Sequence, residues 1–123
     1  MVEGDYFPVA NAWSIACAQI ETLRAADNID AICSVQGLDM ICVGPNDLAI
    51  SLSGGQSRDI RSPEVLKTIE RIRKSAADRG IITAIFANDR EFADRMATMG
   101  WQVISIGTDK GWLASMARQQ LQR

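Results

Sequence analysis

Met40-Ile41-Cys42-Val43-Gly44-Pro45-Asn46-Asp47 decides how this chain folds. Four apolar residues run without a polar break, glycine and proline stop them, and a carboxylate follows at once. A short continuous apolar run bounded by turn residues is the pattern of a parallel strand covered on both faces. Ser14-Ile15-Ala16-Cys17-Ala18-Gln19-Ile20-Glu21 has the same design one unit earlier, again turning acidic at its exit. Two further runs follow downstream, so the expected strands are Ile15–Ile20, Met40–Val43, Ile81–Phe86 and Val103–Ile106.

The intervening segments read as helices. Ser62-Pro63-Glu64 is a start signal, with Ser as N-cap and Pro at the first helical position. Val65, Leu66, Ile69, Ile72 and Ala76 then recur at helical spacing, and Gly80 supplies the stop. Asp89 opens the next helix, with Phe92, Ala93 and Met96 on one face and Gly100 at its end. Thr108-Asp109 opens the last, with Leu113, Met116, Ala117 and Leu121 as an apolar stripe. Thr22–Val35 reads as a weaker helix, interrupted by Asp27-Asn28. Ser53-Gly54-Gly55-Gln56-Ser57 is a loop within the domain, and its glycine pair turns the chain.

Four strand-then-helix units predict a parallel α/β fold. A closed (β/α)₈ barrel typically needs about 250 residues, whereas this chain has 123. Four consecutive units therefore predict half of such a barrel, with unpaired edges on both outer strands. A doubly wound sheet is the alternative. It normally carries a glycine-rich phosphate loop after its first strand, where this chain has Gln19-Ile20-Glu21-Thr22.

In sheets of this kind ligands bind at the carboxyl ends of the strands, where Glu21 and Asp47 stand. Two carboxylates delivered there can share one hard divalent cation. They could equally be acids that cap the following helices. Gln19 and Glu21 are two apart on a strand and so point to the same face.

Composition narrows the chemistry. The chain is 47% hydrophobic and 23% charged with a formal net charge of −2, an ordinary soluble composition sufficient for one core. Without a basic stripe there is no reason to expect nucleic acid as a partner. Met1-Val2-Glu3-Gly4-Asp5 lacks the order of a signal peptide, and no apolar run is long enough for a membrane span. A cytoplasmic protein is expected. Histidine is absent, so a His-ligated zinc, a Ser-His-Asp triad and a Cys-His pair cannot be built from this chain. Cys17, Cys33 and Cys42 lie in apolar surroundings without a C-x-x-C pair and read as small buried hydrophobes of a reduced compartment.

Other features have simpler readings. Thr108 or Asp109 and Asp89 are expected to be helix caps, and Arg71, Arg73, Lys74, Asp78 and Arg79 a solvated helix face. Trp13, Trp101 and Trp112 lie near element ends and read as packing or interface residues.

Three blocks in order, Gln19-Ile20-Glu21-Thr22, Gly37 to Leu48 and Val103-Ile104-Ser105-Ile106-Gly107-Thr108-Asp109, resemble the HpcH/HpaI aldolase family. These are metal-dependent lyases of 2-keto-3-deoxy acids, including 4-hydroxy-2-oxoheptanedioate and 2-dehydro-3-deoxyglucarate aldolases. The resemblance extends from about Tyr6 to the C-terminus. It implies the C-terminal half of a TIM (β/α)₈ barrel, with residues 1–123 as one partial domain. It also implies Glu21 and Asp47 as ligands of a divalent metal (Mg²⁺, Mn²⁺ or Co²⁺), and Gln19, Asn46 and Asp47 as contacts of the bound keto acid. Family members often have Ala or Ser at the place of Asn46, and a backbone contact would survive that change.

The implied activity is carbon–carbon cleavage or formation of 4-hydroxy-2-oxo acids through a metal-bound pyruvate enolate, with pyruvate and an aldehyde as small-molecule partners and a homo-oligomer as the assembly. In the family a catalytic His and an Arg lie in the first half of the barrel. No catalytic residue is therefore expected within this chain, and its general base is expected in the N-terminal half. The competing expectations are a catalytically incomplete remnant that binds metal and keto acid, or an oligomer-forming α/β protein with a vestigial site.

Overall fold

A computed structural model describes residues 6–121, so the acidic start Met1–Asp5 lies outside the described residues. The elements are α1 (Tyr6–Trp13), β1 (Cys17–Ile20), α2 (Leu23–Asp27), α3 (Ile29–Ile32), β2 (Met40–Val43), α4 (Pro45–Leu52), α5 (Pro63–Ala77), β3 (Ile82–Ala87), α6 (Arg90–Thr98), β4 (Val103–Ile106) and α7 (Asp109–Leu121). The strands form one parallel sheet of order β1-β2-β3-β4. Each strand joins the one before it, with no reversal of order and hence none of the switch points of a doubly wound sheet. This is the expected half-barrel.

Register and burial divide the sheet into two faces. Ile20, Val43 and Ile85 align across β1, β2 and β3, and all three are buried. Together with Ile41 and Ala87 they pack into one core with Ala26, Ile29, Leu48, Ile69, Ile72, Phe92 and Met96 from the helices. Burying one such side chain contributes roughly 1.5–3 kcal/mol. The opposite face carries Cys17, Gln19, Met40, Cys42, Ile82, Phe86, Val103 and Ser105, and it is only partly covered. The continuous apolar runs predicted cover on both faces. Among the described residues only one face has it, because a barrel interior is filled by side chains from all its strands and four strands supply half of them.

Local signals hold up well. Ser62 Oγ accepts from the Val65 amide at 3.4 Å, and α5 follows from Pro63 to Ala77. Gly80 ends that unit at φ +71°, the left-handed conformation that glycine adopts without cost. The weak helix after β1 is two short helices divided at Asn28, the interruption that Asp27-Asn28 foretold. Ser53 ties the glycine loop by accepting from the Ser57 amide at 2.9 Å, with Gly54 and Gly55 both at positive φ.

One expectation needs correction. Cys17 is exposed and Cys42 half-buried; only Cys33 is buried as expected. Cys17 and Cys42 share the parity of Gln19 and so face the uncovered side. Trp112, Leu113, Met116 and Leu121 of α7 are exposed, and no residue of that helix is buried. Its periodicity is real, but the described residues offer nothing to cover it.

Candidate active site at the carboxyl ends of the strands

Gln19 and Glu21 leave β1 on its uncovered face, and the Gln19 carboxamide Nε2 donates to Glu21 Oε1. Glu21 does not cap the next helix. That role falls to Thr22, whose Oγ1 accepts from the Ala25 amide at 3.1 Å. The half-buried Glu21 side chain instead lies across Gly44, the residue joining β2 to α4. A Cβ built on Gly44 would stand 2.9 Å from Glu21 Cγ and 3.1 Å from Cδ, so only glycine leaves room for this carboxylate.

Gly44 is also the N-cap of α4, with no side chain to satisfy the first turn. By contrast α2, α5 and α6 are closed by Thr22, Ser62 and Asp89. The opening amides of α4 are therefore directed at the space beside Glu21, where they can receive an anion. Asp47 is the third residue of α4 and is exposed. Its carboxylate makes no hydrogen bond or ion pair among the described residues. Glu21 and Asp47 thus stand on adjacent βα connections, joined through Gly44.

Among the described residues no three His, Cys, Asp or Glu side chains converge on one point. Mg²⁺ and its like use one or two carboxylates and complete their shell with water and substrate oxygens. Burial pushes the Cys42 thiol up, with Cys17 and Glu21 adding to the shift.

Asn46 faces a different feature. A cavity of ≈ 630 Å³ opens at the ends of β3 and β4, lined among others by Asn46, Phe86, Asn88, Ile106, Thr108 and Trp112. Asn46 and Asn88 are locked as a reciprocal pair, Nδ2 to Oδ1 at 3.0 Å and 2.9 Å. Sequence reading missed Asn88, because nothing local marks it; the pairing joins residues 42 apart. Asp89 is the expected cap, accepting from the Phe92 amide at 2.8 Å. Arg61 Nη2 clamps the same carboxylate at 2.9 Å and 2.8 Å and, with the Phe92 amide, holds its pKa below the ordinary value. Thr108 Oγ1 accepts from the Gly111 amide at 3.0 Å, the expected cap of α7.

The comparisons with known proteins agree with this architecture. The model of the HpcH/HpaI aldolase/citrate lyase family matches residues 8–115. A hydroxypyruvate/pyruvate aldolase of Paraburkholderia phytofirmans is 35% identical over 118 residues, which are 96% of this chain and 45% of that protein. A 5-keto-4-deoxy-D-glucarate aldolase of Escherichia coli O157:H7 is 35% identical over 115 residues, 94% of this chain and 44% of the relative. The crystal structure of an HpcH/HpaI aldolase/citrate lyase family protein from Burkholderia cenocepacia J2315 superposes with a TM-score of 0.89 at 35% identity, over 98% of this chain and 46% of that one. The chain spans about half the length of the curated relatives it matches. Four βα units in sequential order, matched along almost their whole length, place this chain in the HpcH/HpaI aldolase/citrate lyase family.

Proposed function

We propose that this chain supplies the metal-binding and keto-acid-binding half of an aldolase-type lyase site. The observation that carries the reading is the Glu21 carboxylate laid over Gly44, beside the uncapped start of the helix that bears Asp47. Glu21 and Asp47 would hold the divalent cation, Mg²⁺, Mn²⁺ or Co²⁺. When bound, that cation supplies Lewis-acid polarisation of a 2-keto acid such as pyruvate. Gln19 holds Glu21 in place through its amide hydrogen bond, at the rim where it can also meet the keto acid. The open amides at Asn46 and Asp47 receive the acid's carboxylate, a contact that does not depend on the side chain at position 46.

Carbon–carbon cleavage of a 4-hydroxy-2-oxo acid into pyruvate and an aldehyde also needs a group to take the hydroxyl proton. This chain contains no histidine, and both carboxylates of the site are assigned to the cation. The base is therefore assigned to residues outside these 123, so the chain by itself is catalytically incomplete. Association follows as part of the same reading, since β1 and β4 are open edges and α7 presents an uncovered apolar stripe.

The test is a Mn²⁺ titration followed by electron paramagnetic resonance. Wild type should bind one ion saturably, and Glu21→Gln combined with Asp47→Asn should weaken binding at least about tenfold. Identical titrations for the two proteins would sink the assignment.

A further inference from the structure

Cys17 and Gln19 of β1 and Val103 and Ser105 of β4 lack partners twice over. Their side chains lie on the uncovered face of the sheet. Their backbone groups also point away from the sheet. The Ile20 carbonyl accepts from the Gly44 amide at 3.2 Å, and the Gln102 amide donates to the Thr83 carbonyl at 3.2 Å. Alternate residues of a strand direct their backbone groups to opposite sides, so Cys17, Gln19, Val103 and Ser105 present theirs at the two open edges.

These edges are unlike, and that limits what can cover them both. A rotation about a barrel axis keeps every strand pointing the same way. It can bring β4 of one copy beside β1 of another in parallel, and the same step repeated returns to the start. Two copies therefore close through two identical seams, with the eight sequential parallel strands of a (β/α)₈ barrel. No side chain that the four strands place on this face is charged, so the two faces meet without repulsion. The last helix fits the same closure. α6 lies over both β3, which it follows, and β4, the next strand. α7 follows β4 and has no next strand to lie over; β1 of a second copy provides one.

The exposed area supports such a contact. The chain exposes 8556 Å², whereas a folded monomer of 13.4 kDa exposes about 6,500 Å². Half of that surplus would suffice for an obligate interface, which buries about 2,000–5,000 Å² counted over both partners.

We propose that the uncovered face and both open edges are an interface for a second copy of this chain, the two half-barrels closing into one barrel. This gives a geometry to the association proposed above, and it rests on the sheet and not on the cation site.

Sedimentation velocity and cross-linking of the full chain test it. Wild type should sediment as a dimer. Val103→Lys puts a charge into the closed interior, and Ser105→Pro removes an edge donor without touching a bond to β3; each should weaken dimerisation at least about tenfold, with circular dichroism verifying the fold. Val103→Cys should be joined to Cys17 of the other copy by a short bis-maleimide, seen as a covalent dimer on a denaturing gel and lost with Cys17→Ser. Glu21→Gln with Asp47→Asn should dimerise as well as wild type, so failure of the cation site is read separately by the Mn²⁺ titration. The proposal is overturned if the chain stays monomeric, which would leave the face to a partner of different sequence. It is equally overturned if a dimer is indifferent to both edge variants, or if the cross-link survives Cys17→Ser.

Discussion

Glu21 rests on Gly44, and the contact is close enough that a methyl group on Gly44 would stand 2.9 Å from Glu21 Cγ. Gly44 has φ −95° and ψ 91°, a conformation open to any L-residue. Its need for glycine is therefore steric and local to the carboxylate. Gly44→Ala should leave thermal stability nearly unchanged, because the side chain it displaces is flexible. It should also weaken Mn²⁺ binding about 10–100-fold, the usual effect of disturbing a ligand's support. Unaltered Mn²⁺ affinity in a folded Gly44→Ala variant would mean that Glu21 does not bind from this position.

Asp89 joins two roles, cap of α6 and partner of Arg61. Its pKa is lowered chiefly by the Arg61 hydrogen bonds and then by the Phe92 amide. A carboxylate depressed in the folded state stabilises above its unfolded pKa, about 3.9. That contribution fades as pH falls through the folded value. Asp89→Asn keeps a capping oxygen but removes the charge. The melting temperatures of wild type and variant should differ at pH 7 and converge as pH falls below about 4. A difference that stays constant across that range would show that the charge contributes nothing.

The α7 stripe is exposed at 61% for Trp112, 75% for Leu113, 55% for Met116 and 82% for Leu121, a patch that water alone does not favour. The chain should associate in sedimentation velocity. Leu113→Glu together with Met116→Glu should weaken that association at least about tenfold, as expected for central contacts of an interface. A monodisperse, cooperatively melting wild-type monomer would contradict this.

Turnover should be slow. Missing a general base typically costs about 10²–10⁴-fold in rate, and the chain has no histidine to serve. Purified alone, it should release pyruvate from a 4-hydroxy-2-oxo acid at least that much more slowly than a relative of full barrel length, measured by coupled lactate dehydrogenase. Robust metal-dependent cleavage would place the base among the residues described above.

Much of this architecture was legible in the order of residues. Parallel strands show themselves as unbroken apolar runs, and Met40–Val43 and Val103–Ile106 fall where those runs lie. Ser62-Pro63, Asp89 and Thr108 announced their helices because capping is a local bond, made within three residues. The positions of Glu21 and Asp47 at strand exits were equally local.

What the sequence by itself could not determine involves residues far apart along the chain. It left open whether Glu21 was a cap, and only the fold brings it onto Gly44 while Thr22 takes the cap. It gave no hint of Asn88, whose partner Asn46 lies 42 residues away. Nor could it tell a buried Cys17 from an exposed one. An apolar run records which residues avoid water, while the tertiary structure decides which face of each strand is covered. Here helices cover one face of the sheet and leave Cys17, Gln19 and Cys42 on the other.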